Sequence, residues 1–285
     1  MSELIADISK PSGLTSVLQR HGIGLSKSLG QHFLIDKNHL AKIVSAASIQ
    51  PGDTVLEIGP GAGVMTRLLA AQTHTVYTIE LDRRMVSVLE ETLADIDNVT
   101  VVHGDALTVD WKIAFRENVD TRLVANIPYQ ITSPLLIRIL ETDPSFVHAT
   151  VLVQKEVAER VVAPAGSKVY GALSCVAQFV CDCYISSVVP RSVFYPPPKV
   201  DSAVLNLRPH HKYKDITIDA FTRITRAAFN QRRKTLRNSL TAGLEWTDEY
   251  FYEVLEQTSV MPDLRPEQVT IDQFCEIARA AKELE

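Results

Sequence analysis

Cysteine is scarce in this chain, long apolar runs are absent, and positive charge is in the minority. Each shortage closes off a class of protein. The four cysteines, Cys175, Cys181, Cys183 and Cys275, include no C-x-x-C pair, which removes a zinc ribbon and a disulfide scaffold. Reduced thiols in an apolar setting and no bound metal are expected instead. No apolar stretch approaches the ~20 residues of a membrane span. The first ten residues carry Glu3 and Asp7 and no apolar centre, so a secretory leader is not expected and a cytoplasmic protein is. Lys and Arg number 29 against 34 Asp and Glu, for a net charge of −5. That deficit alone would argue against a polyanion partner.

The charge is segregated, however. Residues 51–110 hold 3 basic and 10 acidic side chains, residues 241–285 hold 3 and 11, and residues 210–240 hold 8 and 2. An acidic protein with such a segment still presents a local cationic field, which is what a polyanion feels.

At 285 residues, 46% of them hydrophobic, the chain can bury a large core. Residues 1–24 are polar, with Pro11, Gly13, Gly22 and Gly24, and read as a loosely held extension. Asp36 caps a helix with Leu40, Ile43 and Val44 on one face. Strands at Thr54–Ile58, Thr75–Glu80, Val99–His103, Arg122–Ala125 and Ala149–Gln154 alternate with helices at Ala62–Ala71, Arg83–Leu93 and Thr132–Leu140. This alternation predicts an α/β fold with a parallel, doubly wound sheet. After a helix over Leu173–Cys183, strands are expected at Tyr184–Val189 and Ala203–Leu207, either side of Pro196-Pro197-Pro198. From residue 210 helices are expected at Ile218–Leu240, Asp248–Gln257 and Ile271–Leu284.

Glu57-Ile-Gly59-Pro-Gly61-Ala-Gly63 lies between a strand and a helix, where a glycine turn lets backbone N–H groups approach a ligand. Val64 stands where the dinucleotide fingerprint needs glycine, which disfavours an NAD oxidoreductase. The spacing resembles the first motif of S-adenosyl-L-methionine-dependent methyltransferases. Glu80, closing the second strand, suits two ribose hydroxyls, and Asp105, after the third, suits an adenine amino group. Either carboxylate can instead cap a turn.

Asn126-Ile127-Pro128-Tyr129 fits chemistry on an exocyclic base amine, whose lone pair is delocalised into the ring. The Asn126 side-chain oxygen and the Ile127 carbonyl can accept the N–H bonds and turn that lone pair toward a methyl donor. Pro128 fixes the backbone. Tyr129 supplies a stacking face, worth roughly 1–3 kcal/mol per base. No strong base is required, because the amine proton becomes acidic once the methyl has arrived.

These motifs, with Gly30-Gln31-His32-Phe33-Leu34, Gln154–Val157, Ser167–Gly171, Phe194–Ser202 and Arg232–Leu240, resemble those of the small-subunit rRNA adenine N6-dimethyltransferase family. The resemblance runs from about residue 25 to 240. It implies a Rossmann-like class I methyltransferase domain over 25–209 and a small helical rRNA-binding domain over 210–285. It also implies dimethylation of two adjacent adenosines in a hairpin loop near the 3′ end of small-subunit (16S) rRNA. The donor would be S-adenosyl-L-methionine, and the partner the small ribosomal subunit during assembly. The family's cofactor positions map onto His32, Leu34, Gly59, Glu80, Asp105 and Asn126, with Gly61 in the loop. His32 departs from the asparagine often found there. Phe194 matches an aromatic that closes on the target base opposite Tyr129. A related large-subunit enzyme of antibiotic resistance shares the early motifs, but the Pro196–Ser202 and Arg232–Leu240 segments favour the small-subunit family. An assembly factor in which docking outweighs catalysis is a further alternative.

The RNA contact is expected on one long helix. There Arg226, Arg233 and Arg237 fall on one face at i, i+7 and i+11, with Arg232 and Lys234 beside them and Ala228, Phe229, Leu236 and Leu240 inward. Lys27, Lys37, Lys155 and Lys199 extend the cationic track. A monomer is expected.

Overall fold

The computed structural model describes residues 8–24, 32–141, 146–231 and 233–284. The chain divides into two compact units, Met1–Ala158 with Tyr184–Arg208, and Glu159–Cys183 with Pro209–Glu285. The segment 159–183, expected in the methyltransferase domain, therefore groups with the C-terminal helices. Its helix carries Cys175 and Phe179 into their aromatic core.

The first unit starts with helix α1 (Pro11–Arg20) where a loose extension was expected. Pro11 stands at the first helical turn, where its missing N–H costs nothing. Leu14, Val17 and Leu18 share one face and are buried, as are Ile8 and Ile23. Such side chains contribute roughly 1.5–3 kcal/mol each when removed from water. That burial outweighs the polar composition that suggested looseness. Then follow β1 (Phe33–Leu34), α2 (Lys37–Ala46), β2 (Thr54–Ile58), α3 (Val64–Ala70), β3 (Thr75–Glu80), α4 (Arg83–Thr92) and β4 (Val99–His103). Asp36 caps α2 as expected, accepting the His39 N–H at 2.9 Å. Asp82 caps α4, accepting the Arg84 N–H at 3.0 Å. Arg20, just before the end of α1 is capped, bonds Glu91 of α4, and His21 lies 2.7 Å from the same carboxylate.

The unit continues through β5 (Thr121–Asn126), α5 (Thr132–Glu141) and β6 (Phe146–Gln154), then α6 (Lys155–Val161), at which the chain leaves it. After α7 (Ala172–Val180) the chain returns along β7 (Cys181–Val189), β8 (Phe194–Tyr195) and β9 (Ser202–Pro209). The strands form one sheet in the order β4-β3-β2-β5-β6-β9-β7. The pairs among β2 to β6 are parallel, and β9 lies antiparallel to β6. The sheet is thus mixed rather than wholly parallel. A separate pair joins β1 to β8, with Phe33 opposite Tyr195 and Leu34 opposite Phe194. The chain winds outward from β2 in one direction through β3 and β4 and in the other through β5 and β6. The reversal opens a crevice at the carboxyl ends of β2 and β5, where ligands bind in such sheets.

The second unit contains α7 with α8 (Ile218–Phe229), α9 (Leu236–Leu244), α10 (Asp248–Glu256) and α11 (Ile271–Leu284). Its core is aromatic: Phe221, Phe251 and Phe274 are fully buried, and Phe179 stacks on Phe221 with centroids 4.0 Å apart. The single helix expected over Ile218–Leu240 is two. Asn230 ends α8, Arg233 adopts φ +67°, and Thr235 starts α9 by accepting the Asn238 N–H. Gly243 lets α9 approach α8 so closely that a Cβ there would lie 2.8 Å from that of Ala227.

Candidate active site

Four strand ends carry the expected site residues to one crevice. β2 runs into Gly59 and Gly61, β3 ends on Glu80, β4 leads to Asp105 and β5 ends on Asn126. Gly59 (φ +74°) and Gly61 (φ +58°) adopt left-handed conformations. A Cβ on Gly59 would lie 3.0 Å from the Asn126 carbonyl oxygen, and one on Gly61 3.2 Å from the Phe33 ring. Side chains at these two positions would collide with Asn126 and Phe33, so the backbone keeps this path only with glycine there. Glu57 is not among the cavity-lining residues. It is fully buried, and the Thr66 hydroxyl of α3 donates to it at 2.7 Å. Burial pushes its carboxyl up to about 7, against the opposing pull of the Thr66 and Thr78 hydroxyls.

The crevice holds a cavity of about 400 Å³, within the size range of small-molecule sites. At one end are Glu80, Leu81, Asp82 and Asp105. One Glu80 oxygen accepts the Asp82 N–H at 2.8 Å, and burial raises its carboxyl above the ordinary carboxylate range. One Asp105 oxygen accepts the Leu107 N–H at 2.8 Å, so Asp105 does cap its own turn. In each carboxylate the second oxygen has no donor among the described residues. Two carboxylate acceptors, an apolar lining and a glycine-rich loop fit an adenosine with a charged tail. Leu81 is 65% exposed on this rim, and no sequence signal marked it.

At the other end stand Asn126, Ile127, Pro128, Tyr129, His32, Leu34 and Phe194. The Asn126 Nδ2 group donates to the His32 carbonyl oxygen at 3.4 Å. A carbonyl can only accept, so the amide oxygen is the atom left for another ligand. Ile127 donates its N–H to Leu152 at 3.1 Å, and no described residue donates to its carbonyl. Tyr129 shares a 2.7 Å hydrogen bond with the hydroxyl of buried Ser202, and burial raises its phenol above the normal range. His32 Nδ1 lies 2.7 Å from the Pro196 carbonyl oxygen, and its ring sits 5.6 Å from the Tyr129 ring, tilted by 38°. Leu34 and Phe194 are paired across β1 and β8 and are 7% and 3% exposed, so both line the cavity from within the core. Ser202 lay inside a quoted motif without a role. Its partner is 73 residues away, a contact no local pattern announces.

The basic residues are in the second unit. Arg226 is exposed near the end of α8, Arg233 and Lys234 are exposed in the break, and Arg237 in α9 pairs with Asp248. The break removes the single helical face on which Arg226, Arg233 and Arg237 were expected. Arg232 lies outside the described residues, as do Lys27, Gly30 and Gln31. The cysteines are free, and burial pushes the Cys175, Cys181 and Cys275 thiols up to about 12. Among the described residues there is no cluster of metal-ligating side chains, and no helix is long and apolar enough to cross a membrane.

A ribosomal RNA adenine dimethylase family model matches residues 24–283. The chain belongs to that family. It is 41% identical over 286 residues to ribosomal RNA small subunit methyltransferase A of Lactiplantibacillus plantarum, covering 96% of each chain. It is also 41% identical to the protein of that name from Clostridioides difficile, over 94% of each. Among solved structures it resembles a dimethyladenosine transferase from Plasmodium falciparum, with TM-score 0.74, 30% identity and 86% and 96% of the two chains covered. The 23S rRNA methyltransferase ErmE aligns with TM-score 0.67 and 26% identity over 88% and 99%. The protein is thus an rRNA adenine dimethylase with the α/β methyltransferase fold, using S-adenosyl-L-methionine.

Proposed function

We propose that this adenine dimethylase acts in the cytoplasm as a monomer. Its substrate is two adjacent adenosines in the 3′-terminal hairpin loop of small-subunit rRNA, within an assembling small subunit. Loop adenines leave their stack more readily than paired ones, which suits a base that must enter a cavity. The observation carrying the reading is the pair of open acceptors at Asn126 and Ile127 beside the glycine loop.

Gly59 and Gly61 let the main chain meet the cofactor, Glu80 takes its ribose hydroxyls, Asp105 its adenine amine, and His32, Leu34 and Asn126 border it. When bound, S-adenosyl-L-methionine supplies an electrophilic methyl group. The Asn126 amide oxygen and the Ile127 carbonyl accept the two N–H bonds of the adenine N6 amine, so that its lone pair leaves the ring plane. Pro128 holds that carbonyl outward. Tyr129, tethered through Ser202, offers its ring to the base, and Phe194 closes the far side. Positioning and preorganised dipoles supply most of the rate. Arg226, Arg232, Arg233, Lys234 and Arg237 hold rRNA phosphates, and affinity falls steeply with salt.

The test incubates the protein with radiolabelled S-adenosylmethionine and small subunits lacking the modification, beside large subunits and naked rRNA. Label recovered as N6,N6-dimethyladenosine from small subunits alone is expected. The ErmE likeness makes large-subunit labelling the specific result that would transfer the assignment to 23S rRNA. Cofactor binding without label would favour the assembly-factor role.

A further inference from the structure

A flat base is held by its faces as well as by its edge, and one ring of this site takes its orientation from a distant segment. Tyr129 opens a single helical turn (Tyr129–Ile131), and none of the residues in that turn is buried. Packing within the turn therefore leaves the phenol room to swing. Its hydroxyl instead shares a 2.7 Å hydrogen bond with Ser202, 73 residues further on. Ser202 is fully buried, and Tyr129 is its one side-chain partner among the described residues. A buried hydroxyl cannot trade such a bond for water, so the bond persists and fixes the ring.

The anchor itself is rigid. Ser202 is the first residue of β9 and pairs in register with Gln154, the last residue of β6. The Asp201 carbonyl accepts the Lys155 N–H at 3.0 Å, which extends that ladder by one bond. The Asp201 carboxylate accepts the Arg191 N–H at 2.9 Å, and the Lys199 carbonyl accepts from the Arg191 guanidinium at 3.3 Å. These bonds close the stretch from Arg191 to Ser202 on itself. Within it lie Phe194, which lines the cavity, and Pro196, whose carbonyl oxygen is 2.7 Å from His32 Nδ1. One closed stretch of chain thus carries one aromatic wall of the cavity and anchors the other.

We propose that Ser202 is a positioning residue for the second methyl transfer, acting through Tyr129, an assignment that rests on the adenine-amine reading above. In the first transfer the N6 lone pair takes the methyl group and sulfur keeps the electron pair of the broken C–S bond. One N–H hydrogen then leaves to water as a proton, and its bonding pair stays on nitrogen. The monomethylated amine has a single N–H left. It engages the Asn126 oxygen or the Ile127 carbonyl but not both, so the ring faces carry more of the positioning. The second transfer therefore leans harder on the Tyr129 ring than the first. Ser202 does not itself line the cavity, so its effect reaches the base only through that ring.

The experiment follows methylation of unmodified small subunits with enzyme in excess and saturating radiolabelled cofactor. The digest is resolved into N6-methyladenosine and N6,N6-dimethyladenosine over time. Relative to wild type, Ser202→Ala is expected to slow the second step about tenfold and the first about threefold or less, so that N6-methyladenosine accumulates. Loss of folded protein slows both steps alike and leaves their ratio unchanged, so this readout separates positioning from stability. Tyr129→Phe, which keeps the ring and the buried serine, is expected to give the same product ratio as Ser202→Ala. The double variant is expected to be no worse than either single one, because both remove the same bond. Equal slowing of both steps in Ser202→Ala, a wild-type product ratio in Tyr129→Phe, or additive losses in the double variant would each overturn the proposal while leaving the substrate reading intact. No label from wild type on any rRNA would overturn both.

Discussion

The two units of this protein carry their functional side chains by different means. In the α/β unit Gly59, Glu80, Asp105 and Asn126 stand at or just after the carboxyl ends of strands, while His32 and Phe194 stand where β1 and β8 begin. Glu80 pairs with His103 across β3 and β4, and Asn126 with Leu152 across β5 and β6. In the helical unit Arg233, in a left-handed backbone conformation, and Lys234 occupy a break between two helices, with Arg226 and Arg237 on the helices either side. A site that must hold a small planar amine is built where the backbone is most constrained. The phosphate contact proposed above needs charge more than exact placement, and side chains on a turn can supply it.

Substitutions can break that contrast, starting with the largest effect. Asn126→Ala removes the acceptor at the reacting amine, and the saturated rate of methyl transfer should fall on the order of 10²- to 10³-fold. The melting temperature should move little, and cofactor affinity should fall by far less than the rate, since Asn126 also borders the cofactor. If affinity fell in step with rate, Asn126 would be a binding group only.

Glu57→Gln tests the rigid side through pH. The folded-state carboxyl is raised from 4.5 to about 7, so the native state binds its proton more tightly than the unfolded one. Its contribution is therefore fully present below pH 4.5 and is lost as pH rises through 7. Relative to wild type, the glutamine variant should gain stability on the order of 3 kcal/mol at pH 8 and nothing below pH 4.5. Urea unfolding at the two pH values measures this, and a pH-independent difference would contradict it.

A reciprocal pair comes next. Glu80→Ala should weaken cofactor binding by about 1.5–3 kcal/mol and leave rRNA affinity alone. Arg233→Glu with Lys234→Glu should do the reverse, and should flatten the salt dependence of rRNA binding by roughly 0.7–0.9 in log–log slope per lost contact. Equal losses of both ligands in either variant would erase the distinction between the units. The smallest effect belongs to Arg237. Its exposed pair with Asp248 is screened by water and contributes little to stability. Asp248→Asn should therefore change the melting temperature barely, and rRNA affinity should rise slightly as Arg237 is released.

How far the site was legible follows the same division. The glycine spacing, Glu80, Asp105 and Asn126–Tyr129 are all recoverable from sequence, because each follows an apolar run whose length marks a strand. Asp36 announced its cap by an equally local signal, a carboxylate just ahead of a periodic apolar run. Helix α1 was missed because its buried face is only Leu14, Val17 and Leu18 in a polar segment, and what stabilises it is the core it meets. The break in the long basic helix had a signal that the 3.6-residue period overrode: Thr235, followed by Asn238, is a helix start. Segment 159–183 was assigned to the wrong neighbours because nothing local says which core Phe179 joins.

Local chemistry in the sequence thus determined which groups the candidate site presents: a glycine-rich loop, two carboxylates, two acceptors beside a proline and an aromatic ring. Strand ends repeat in a fixed alternation, so their functional residues keep a readable spacing. Only the tertiary structure decided how those groups are held. The Ser202 tether on Tyr129, the His32–Pro196 contact and the β1–β8 pair all join residues more than 70 positions apart. Such contacts form only once the two segments have been folded onto one sheet, and no periodicity along the chain records them.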